Sequence, residues 1–230
     1  MDQKKKSIKQ FVKEQIKKWE RMYLEDDRKG EARIPVITLS SQPGSGGTIV
    51  AQEIAKRLDF DYFNRDIVEG IAKSAEIRSS VIDTIEKERL SGIEDFIASL
   101  IKEQYLYPGI YLQHLLKVIG TIGKHGRAVI VGRGANFIIP PDERFSLRVV
   151  APLEIRVQNI AGWHKVSIEK AKQRVIQRES KRRAFIRQSF NANISDPNNY
   201  DLIVNTARMS IESAVEAVIG PVMVALKGNI

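Results

Sequence analysis

The chain has 230 residues, of which 43% are hydrophobic and 28% are charged, a composition typical of a globular protein with a sizeable core. It has no cysteine, which excludes disulfides, thiolate metal sites and cysteine nucleophiles, and its three histidines form no zinc-binding HExxH pattern. The sequence contains no run of 18 apolar residues, and its basic N-terminus lacks the apolar core of a secretory signal. We therefore expect a cytoplasmic protein.

The net charge of +9 is concentrated in two segments. Residues 1–33 carry 11 Lys and Arg against 7 Asp and Glu, and residues 156–188 carry 10 against 2. A concentrated basic cluster indicates a site for a multiply charged anion. A solvated helix face is the alternative interpretation, and binding to RNA or to an anionic membrane surface is a further one.

Strands and helices alternate along most of the chain. Apolar residues recur every three or four positions over 5–24, which predicts an amphipathic helix that packs on its own domain or on a second subunit. Five strands are predicted, over 35–40, 60–63, 128–131, 145–150 and 201–205. The predicted helices cover 49–58, 65–126 with a break at Tyr107–Gly109, 153–188, and 210–226 with a break near Gly220 and Pro221. This alternation indicates an α/β domain with a parallel sheet.

A glycine-rich loop lies between the first of these strands and the helix that follows, which is the setting that a phosphate-cradling loop needs. Gly44, Gly46 and Gly47 allow several backbone N–H groups to point at one phosphate, and the helix adds the positive end of its dipole. Thr48 supplies the first helical hydroxyl, which can hold Mg²⁺. Gly47 occupies the lysine position of the pattern G-x-x-x-x-G-K-[ST], so an ordinary glycine turn is the alternative interpretation.

Two arginine-rich features follow. Gly132-Arg133-Gly134 comes directly after a predicted strand, where an arginine can grip a phosphate with two hydrogen bonds or pair with a carboxylate instead. The helical stretch over 153–188 carries a run of cations at Arg174, Arg178, Lys181, Arg182, Arg183 and Arg187. Like charges four residues apart destabilise a helix slightly, and a bound polyanion would offset that cost. The pattern is typical of a lid that closes over transferred phosphates.

These segments together resemble the cytidylate kinase-like family, a branch of the P-loop nucleoside monophosphate kinases. The resemblance spans about residues 34–220 and is carried by Ile37–Gly47, Phe60–Asp66, Val131–Asn136, Arg178–Arg182 and Tyr200–Thr206. It implies a P-loop NTPase fold, a three-layer α/β/α arrangement around a central five-stranded parallel sheet. It also implies a helical insertion for the acceptor nucleotide at 64–126 and a lid at 156–190, which leaves 1–33 as an N-terminal helix with its linker and 221–230 as a tail.

The resemblance implies phosphoryl transfer from ATP, with Mg²⁺, to a nucleoside monophosphate, with CMP or dCMP as the first expectation. By position, the ATP phosphates would bind at Gly44, Ser45, Gly46, Gly47 and Thr48, with Mg²⁺ at Thr48. The acceptor would contact Asn64, Asp66 and Arg133, and the transition state would be neutralised by Arg178, Arg182, Arg183 and Arg187.

Two positions depart from the pattern of true cytidylate kinases. Gly47 replaces the P-loop lysine, and Asn64 stands where an aspartate is expected. Losing one charged donor can cost on the order of 3 kcal/mol of transition-state stabilisation, which a lid arginine could restore. The alternative is a catalytically weak nucleotide-binding sensor, and a basic RNA- or membrane-surface-binding protein is the third hypothesis. No DNA partner is expected, and the apolar face of the N-terminal helix suits a homodimer.

Overall fold

The computed structural model describes residues 7–25, 36–85, 87–103 and 109–227, which belong to two compact units. Unit 1 comprises 1–33 and 65–126, and unit 2 comprises 34–64 and 127–230. Within the described ranges, no helix has both the length and the apolar character required to cross a membrane.

The helices and strands follow one another in the predicted order. Within the described residues, the stretch predicted as helical over 65–126 is divided into four helices and that over 153–188 into two. The helices are α1 (Ile8–Glu25), α2 (Gly47–Leu58), α3 (Arg65–Lys73), α4 (Ala75–Ile82), α5 (Lys87–Glu103), α6 (Ile110–His125), α7 (Ala135–Ile138), α8 (Leu153–His164), α9 (Ile168–Phe190) and α10 (Ile211–Lys227). The strands are β1 (Val36–Ser41), β2 (Asp61–Phe63), β3 (Ala128–Val131), β4 (Arg144–Val150) and β5 (Leu202–Asn205). All five predicted strands are confirmed, with small shifts at their ends. Of the predicted break at 107–109, residues 107 and 108 lie outside the described residues.

Unit 2 is built on a parallel sheet in the order β2-β3-β1-β4-β5, which confirms the predicted fold class. Side chains alternate between the two faces of a strand. One face of β1 and β4 is apolar and packs on α2 and α10 through Ile37, Leu39, Leu147 and Val149. The opposite face of the same strands carries Thr38, Ser40, Ser146 and Arg148. These two strands therefore present an apolar face to α2 and a mainly polar face on the other side.

The break predicted near Gly220 and Pro221 is wrong, because α10 runs through both residues to Lys227. A proline inside a helix removes a hydrogen bond and costs roughly 3 kcal/mol. Val218 and Val222, on either side of the proline, are completely buried in the core that α10 shares with α2. Burial of this apolar face outweighs the penalty and keeps the helix continuous.

Unit 1 is helical in its described parts, and α6 is its most deeply buried helix. α3, α4 and α5 contact α6, and α1 contacts α3 and α4. The amphipathic character predicted for α1 is confirmed, since Val12 and Trp19 are buried. The Trp19 ring stacks on His125 with 3.8 Å between ring centroids. Val12 and Trp19 thus pack within the chain itself, which is one of the two arrangements that the sequence pattern offered, and the homodimer stays a prediction.

Candidate active site

The loop between β1 and α2 needs glycine at two positions. Gly44 and Gly46 have φ angles of +85° and +77°, in the left-handed region that other residues rarely adopt. A Cβ atom on Gly44 would lie 2.4 Å from the carbonyl oxygen of Arg156 in α8. The loop can therefore follow this path only because the two residues carry no side chain.

Neighbouring elements of unit 2 hold this loop in place by hydrogen bonds to its hydroxyl and carbonyl oxygens. The Ser45 hydroxyl donates to the carbonyl oxygen of Val149 over 3.2 Å, at the end of β4. The Thr206 hydroxyl donates to the Ser45 carbonyl over 2.8 Å, and the Asn159 amide donates to the Gly44 carbonyl over 2.9 Å. These bonds fix the loop before any ligand binds, and they commit the Ser45 hydroxyl to the loop's own structure.

The same loop leaves backbone N–H groups available for an anion. In the described part of the chain, the N–H groups of Gly44, Gly46, Gly47 and Thr48 have no protein acceptor. They lie at the N-terminus of α2, where the helix dipole adds positive potential. A fixed set of such donors is suited to phosphate oxygens.

Thr48 suits a Mg²⁺ ion that accompanies the phosphates. Its side chain is exposed, and its hydroxyl makes no hydrogen bond to any described residue. The described residues hold no group of three or more His, Asp or Glu side chains arranged for a metal. Mg²⁺ commonly binds through one or two protein oxygens together with substrate phosphates and water, so the hydroxyl fits that role.

The lysine position of this loop is closed by a side chain from β1. Over residues 41–48 the pattern G-x-x-x-x-G-K-[ST] places Ser41 at the first glycine and Gly47 at the lysine. A Cβ atom on Gly47 would lie 2.3 Å from the Ser41 Cβ, 2.9 Å from its hydroxyl oxygen and 3.3 Å from the Val149 Cβ. The Ser41 side chain therefore occupies the space that the first side-chain atoms of a lysine at position 47 would need. The serine at the first glycine position and the glycine at the lysine position thus depend on each other.

A guanidinium group reaches this loop from the basic helix. Arg182, half-buried on α9, donates through Nη1 to the carbonyl oxygen of Ser41. The predicted lid arginine Arg182 thus lies at the first residue of the loop, beside the position that lacks a lysine. The other predicted arginines of this helix, Arg178, Arg183 and Arg187, are exposed and make no hydrogen bond or ion pair with the described residues.

Arg133 lies in a strained turn at the end of β3. Gly132, Arg133 and Gly134 all have positive φ angles, of 79°, 54° and 70°. Such a conformation is costly for an arginine and is typical of functional sites. The Arg133 guanidinium carbon lies 5.1 Å from the centre of the Phe185 ring on α9, three residues after Arg182. The ends of β1 and β3 and the helix α9 thus bring Arg133 and Arg182 into one region of unit 2.

The remaining predicted residues follow β2. Asn64 is half-buried and directly follows that strand in unit 2. Asp66 is exposed in the first turn of α3, where its carboxylate accepts hydrogen bonds from Arg65 over 3.1 and 3.2 Å. The geometry of these two residues neither supports nor opposes an acceptor contact.

Sequence reasoning missed Arg148, which lies near the carboxyl end of β4 and is only 5% exposed. Its guanidinium donates to the hydroxyl oxygens of Ser40 and Tyr200 over 2.9 and 3.2 Å. The available signal was a single arginine inside the otherwise apolar or small-residue run Phe145–Val150, where a charged side chain is unexpected.

Comparisons with known proteins match most of the chain. A model of the cytidylate kinase-like family matches residues 36–208, from β1 to the turn after β5. The chain is 29% identical over 185 residues to the cytidylate kinase of Pyrobaculum islandicum, covering 78% of this chain and 88% of that protein. It is 27% identical over 177 residues to the cytidylate kinase of Pyrococcus horikoshii, covering 77% and 82%.

The fold also has a counterpart among solved structures. An uncharacterized protein from Eubacterium ventriosum superposes with a TM-score of 0.62 at 15% identity, covering 82% of this chain and 98% of that one. At that identity the likeness concerns the fold alone. The family match and the two cytidylate kinase relatives confirm the resemblance that the sequence motifs indicated.

Proposed function

The chain belongs to the cytidylate kinase-like family, and on that premise we propose that it transfers the γ-phosphoryl group of Mg-ATP to a nucleoside monophosphate, with CMP or dCMP as the acceptor. The observation that carries the proposal is the braced loop, with four available backbone N–H groups at the N-terminus of α2 and Arg182 at its first residue. Phosphoryl transfer requires positioning and charge neutralisation, and no protein nucleophile.

In this proposal the loop holds the donor. The N–H groups of Gly44, Gly46, Gly47 and Thr48 bind the β- and γ-phosphates of ATP, and Ser45 keeps the loop in shape. Mg²⁺, held by the phosphates and the Thr48 hydroxyl, would neutralise part of the developing negative charge.

Arginine side chains serve the transferred group and the acceptor. Arg182 supplies the positive charge that Gly47 cannot provide, and Arg133 grips the acceptor phosphate. Asn64 and Asp66 contact the rest of the acceptor nucleotide, and Arg178, Arg183 and Arg187 add positive charge along the lid. An oxygen of the acceptor phosphate forms the new bond to the γ-phosphorus, and the bond to the β,γ-bridging oxygen breaks. The products are ADP and a nucleoside diphosphate.

The test is ADP formation from Mg-ATP with a panel of nucleoside monophosphates. We expect CMP or dCMP to stimulate turnover above the rate without acceptor. Arg182→Ala should lower kcat by roughly 100-fold, the cost of one electrostatic donor to the transition state. Lys172→Ala is the matched control, since it removes an exposed cation from the same helix.

The nucleotide-binding sensor is the second candidate, and the observation in its favour is the lysine position closed by Ser41. It predicts that ADP and ATP bind but that no monophosphate stimulates turnover. Turnover that requires Arg182 would exclude the sensor, whereas nucleotide binding without any turnover would overturn the proposed kinase.

A further inference from the structure

Arg148 is a buried cation that the described part of the chain does not neutralise. It lies in β4 between Leu147 and Val149, with only 5% of its surface exposed. No Asp or Glu among the described residues forms an ion pair with its guanidinium. A buried charge without an ionic partner is costly, so its presence on the buried polar face of β4 calls for a compensating anion.

The guanidinium is held in position by one of its nitrogens and leaves the others available. Nη1 donates to the Ser40 and Tyr200 hydroxyls, and the Tyr200 ring centre lies 5.3 Å from the guanidinium carbon. Tyr200 is itself anchored, because its hydroxyl donates to the Ile194 carbonyl over 2.8 Å. Nε and Nη2 have no acceptor among the described residues, and neither is sealed from solvent. The N–H groups on these two nitrogens form the edge that binds an oxyanion with two parallel hydrogen bonds.

Arg148 lies beside the candidate active site. Its side chain is on the face of the sheet opposite to α2, the helix whose N-terminus carries the available N–H groups of the loop. The register pairs it with Ser40, the residue before Ser41, whose carbonyl accepts from Arg182. Leu147 and Val149 face the core formed with α2, so Arg148 between them points to the opposite face. This placement favours a second anion over the triphosphate that the N–H groups at the start of α2 would hold.

We propose that Arg148 binds the phosphate monoester of the acceptor, from the side of β1 opposite to Arg133. The strand order supports this, because β3 and β4, whose ends carry the two arginines, flank β1. The inference rests on the proposed function for the identity of the acceptor, and it adds a binding residue to it. The acceptor phosphate supplies the negative charge that the buried guanidinium lacks.

Arg144 offers a matched control on the same strand and the same face. It lies at the amino end of β4, four residues before Arg148, and its guanidinium is used within the fold. It donates to the Ser146 hydroxyl over 2.8 Å and to the Ile139 carbonyl. A substitution of Arg144 therefore removes a half-buried guanidinium of β4 without touching the proposed phosphate contact.

The experiment compares Arg148→Met, Arg148→Lys and Arg144→Met with the wild-type chain. CMP is titrated calorimetrically into protein saturated with ADP, and ADP is titrated separately. We expect Arg148→Met to weaken CMP binding about tenfold or more and to leave ADP binding within about twofold. The CMP affinity of Arg148→Lys should lie between those of the wild type and Arg148→Met. Arg144→Met should lower the melting temperature without changing CMP affinity.

Two results would overturn the inference. One is an Arg148→Met protein that binds CMP as tightly as the wild type, and the other is an equal loss of ADP and CMP affinity together with a lower melting temperature. If Arg148→Met does not fold, the Arg148→Lys protein decides the same comparison.

A wild-type chain that binds no CMP would count against the proposed acceptor, and inorganic phosphate then becomes the probe of Arg148. Phosphate should raise the melting temperature of the ADP-saturated wild type more than that of either Arg148 variant. An equal rise in all of them would overturn the inference independently of the proposed function.

Discussion

Gly47→Lys restores the lysine of the P-loop pattern, yet we expect it to damage the protein unless Ser41 is changed with it. The new Cβ atom would lie 2.3 Å from the Ser41 Cβ, whereas ordinary contacts of this kind begin at 3.4 Å. Neither atom is the end of a flexible side chain, so the loop or the end of β1 must move. Overpacking of this kind costs typically 1–3 kcal/mol, and we expect a loss of about 2 kcal/mol in the free energy of unfolding.

The remedy follows from which atoms collide. Ser41→Gly removes both the Cβ and the hydroxyl oxygen, so the pair Ser41→Gly with Gly47→Lys should recover most of the loss, with a coupling energy of about 1.5 kcal/mol. Ser41→Ala removes only the hydroxyl and keeps the Cβ that makes the closest contact. It should therefore rescue little.

A double-mutant cycle by urea denaturation measures this coupling, and Gly47→Ala serves as the control that adds the Cβ without the charge. A fluorescent ADP analogue reports whether the loop still binds nucleotide. Two outcomes would refute the steric reasoning: a Gly47→Lys protein as stable as the wild type, or a Ser41→Ala rescue as complete as that of Ser41→Gly.

Three further predictions concern the stability of the fold. Arg156→Ala should lower the free energy of unfolding by about 3 kcal/mol, because it removes the buried guanidinium that donates to the Glu179 carboxylate over 3.0 Å. A decrease below about 0.5 kcal/mol, measured by urea denaturation, would contradict this. Burial and neighbouring cations, Arg78 among them, lower the pKa of His114, and its Nδ1 must accept the 3.1 Å hydrogen bond from Arg78. The folded state therefore favours neutral His114, so its contribution to stability is complete above about pH 6.5 and is lost as the pH falls. His114→Gln should flatten the acid side of the stability profile, and an unchanged profile would argue against this account. Pro221→Ala should raise the free energy of unfolding by about 1–3 kcal/mol, because it restores a helical N–H donor and removes the clash of the proline ring with the preceding turn. An unchanged or lower urea midpoint would mean that the proline does not destabilise α10.

The sheet and the glycine loop were predictable because their signals are local. β1 is a run of apolar and small residues, and three glycines within four positions follow it before α2 continues. A glycine-rich loop between a strand and a helix is typical of phosphate binding. The regular alternation of strands and helices led to a parallel sheet without knowledge of any contact. The strand order, by contrast, required the structure.

What could not be predicted depends on residues far apart in the chain. The hydrogen bond from Arg182 to the Ser41 carbonyl joins residues 141 positions apart, and no local pattern distinguishes Arg182 from its exposed neighbours on α9. The exclusion of a side chain at Gly47 by Ser41 appears only when the end of β1 and the start of α2 are placed together. Arg148 was missed because its strand reads as apolar core, and its neighbour Tyr200 comes 52 residues later.

We expect a phosphate-binding loop without a lysine to support phosphoryl transfer to a monophosphate. The most direct measurement follows ATP labelled at the γ-phosphate, incubated with Mg²⁺ and CMP, and resolves labelled CDP from labelled inorganic phosphate. We expect label to appear in CDP in an amount equal to the ADP formed, and Arg182→Ala to suppress both. Label that appears only in inorganic phosphate, or that stays in ATP for every monophosphate while nucleotide still binds, would contradict it.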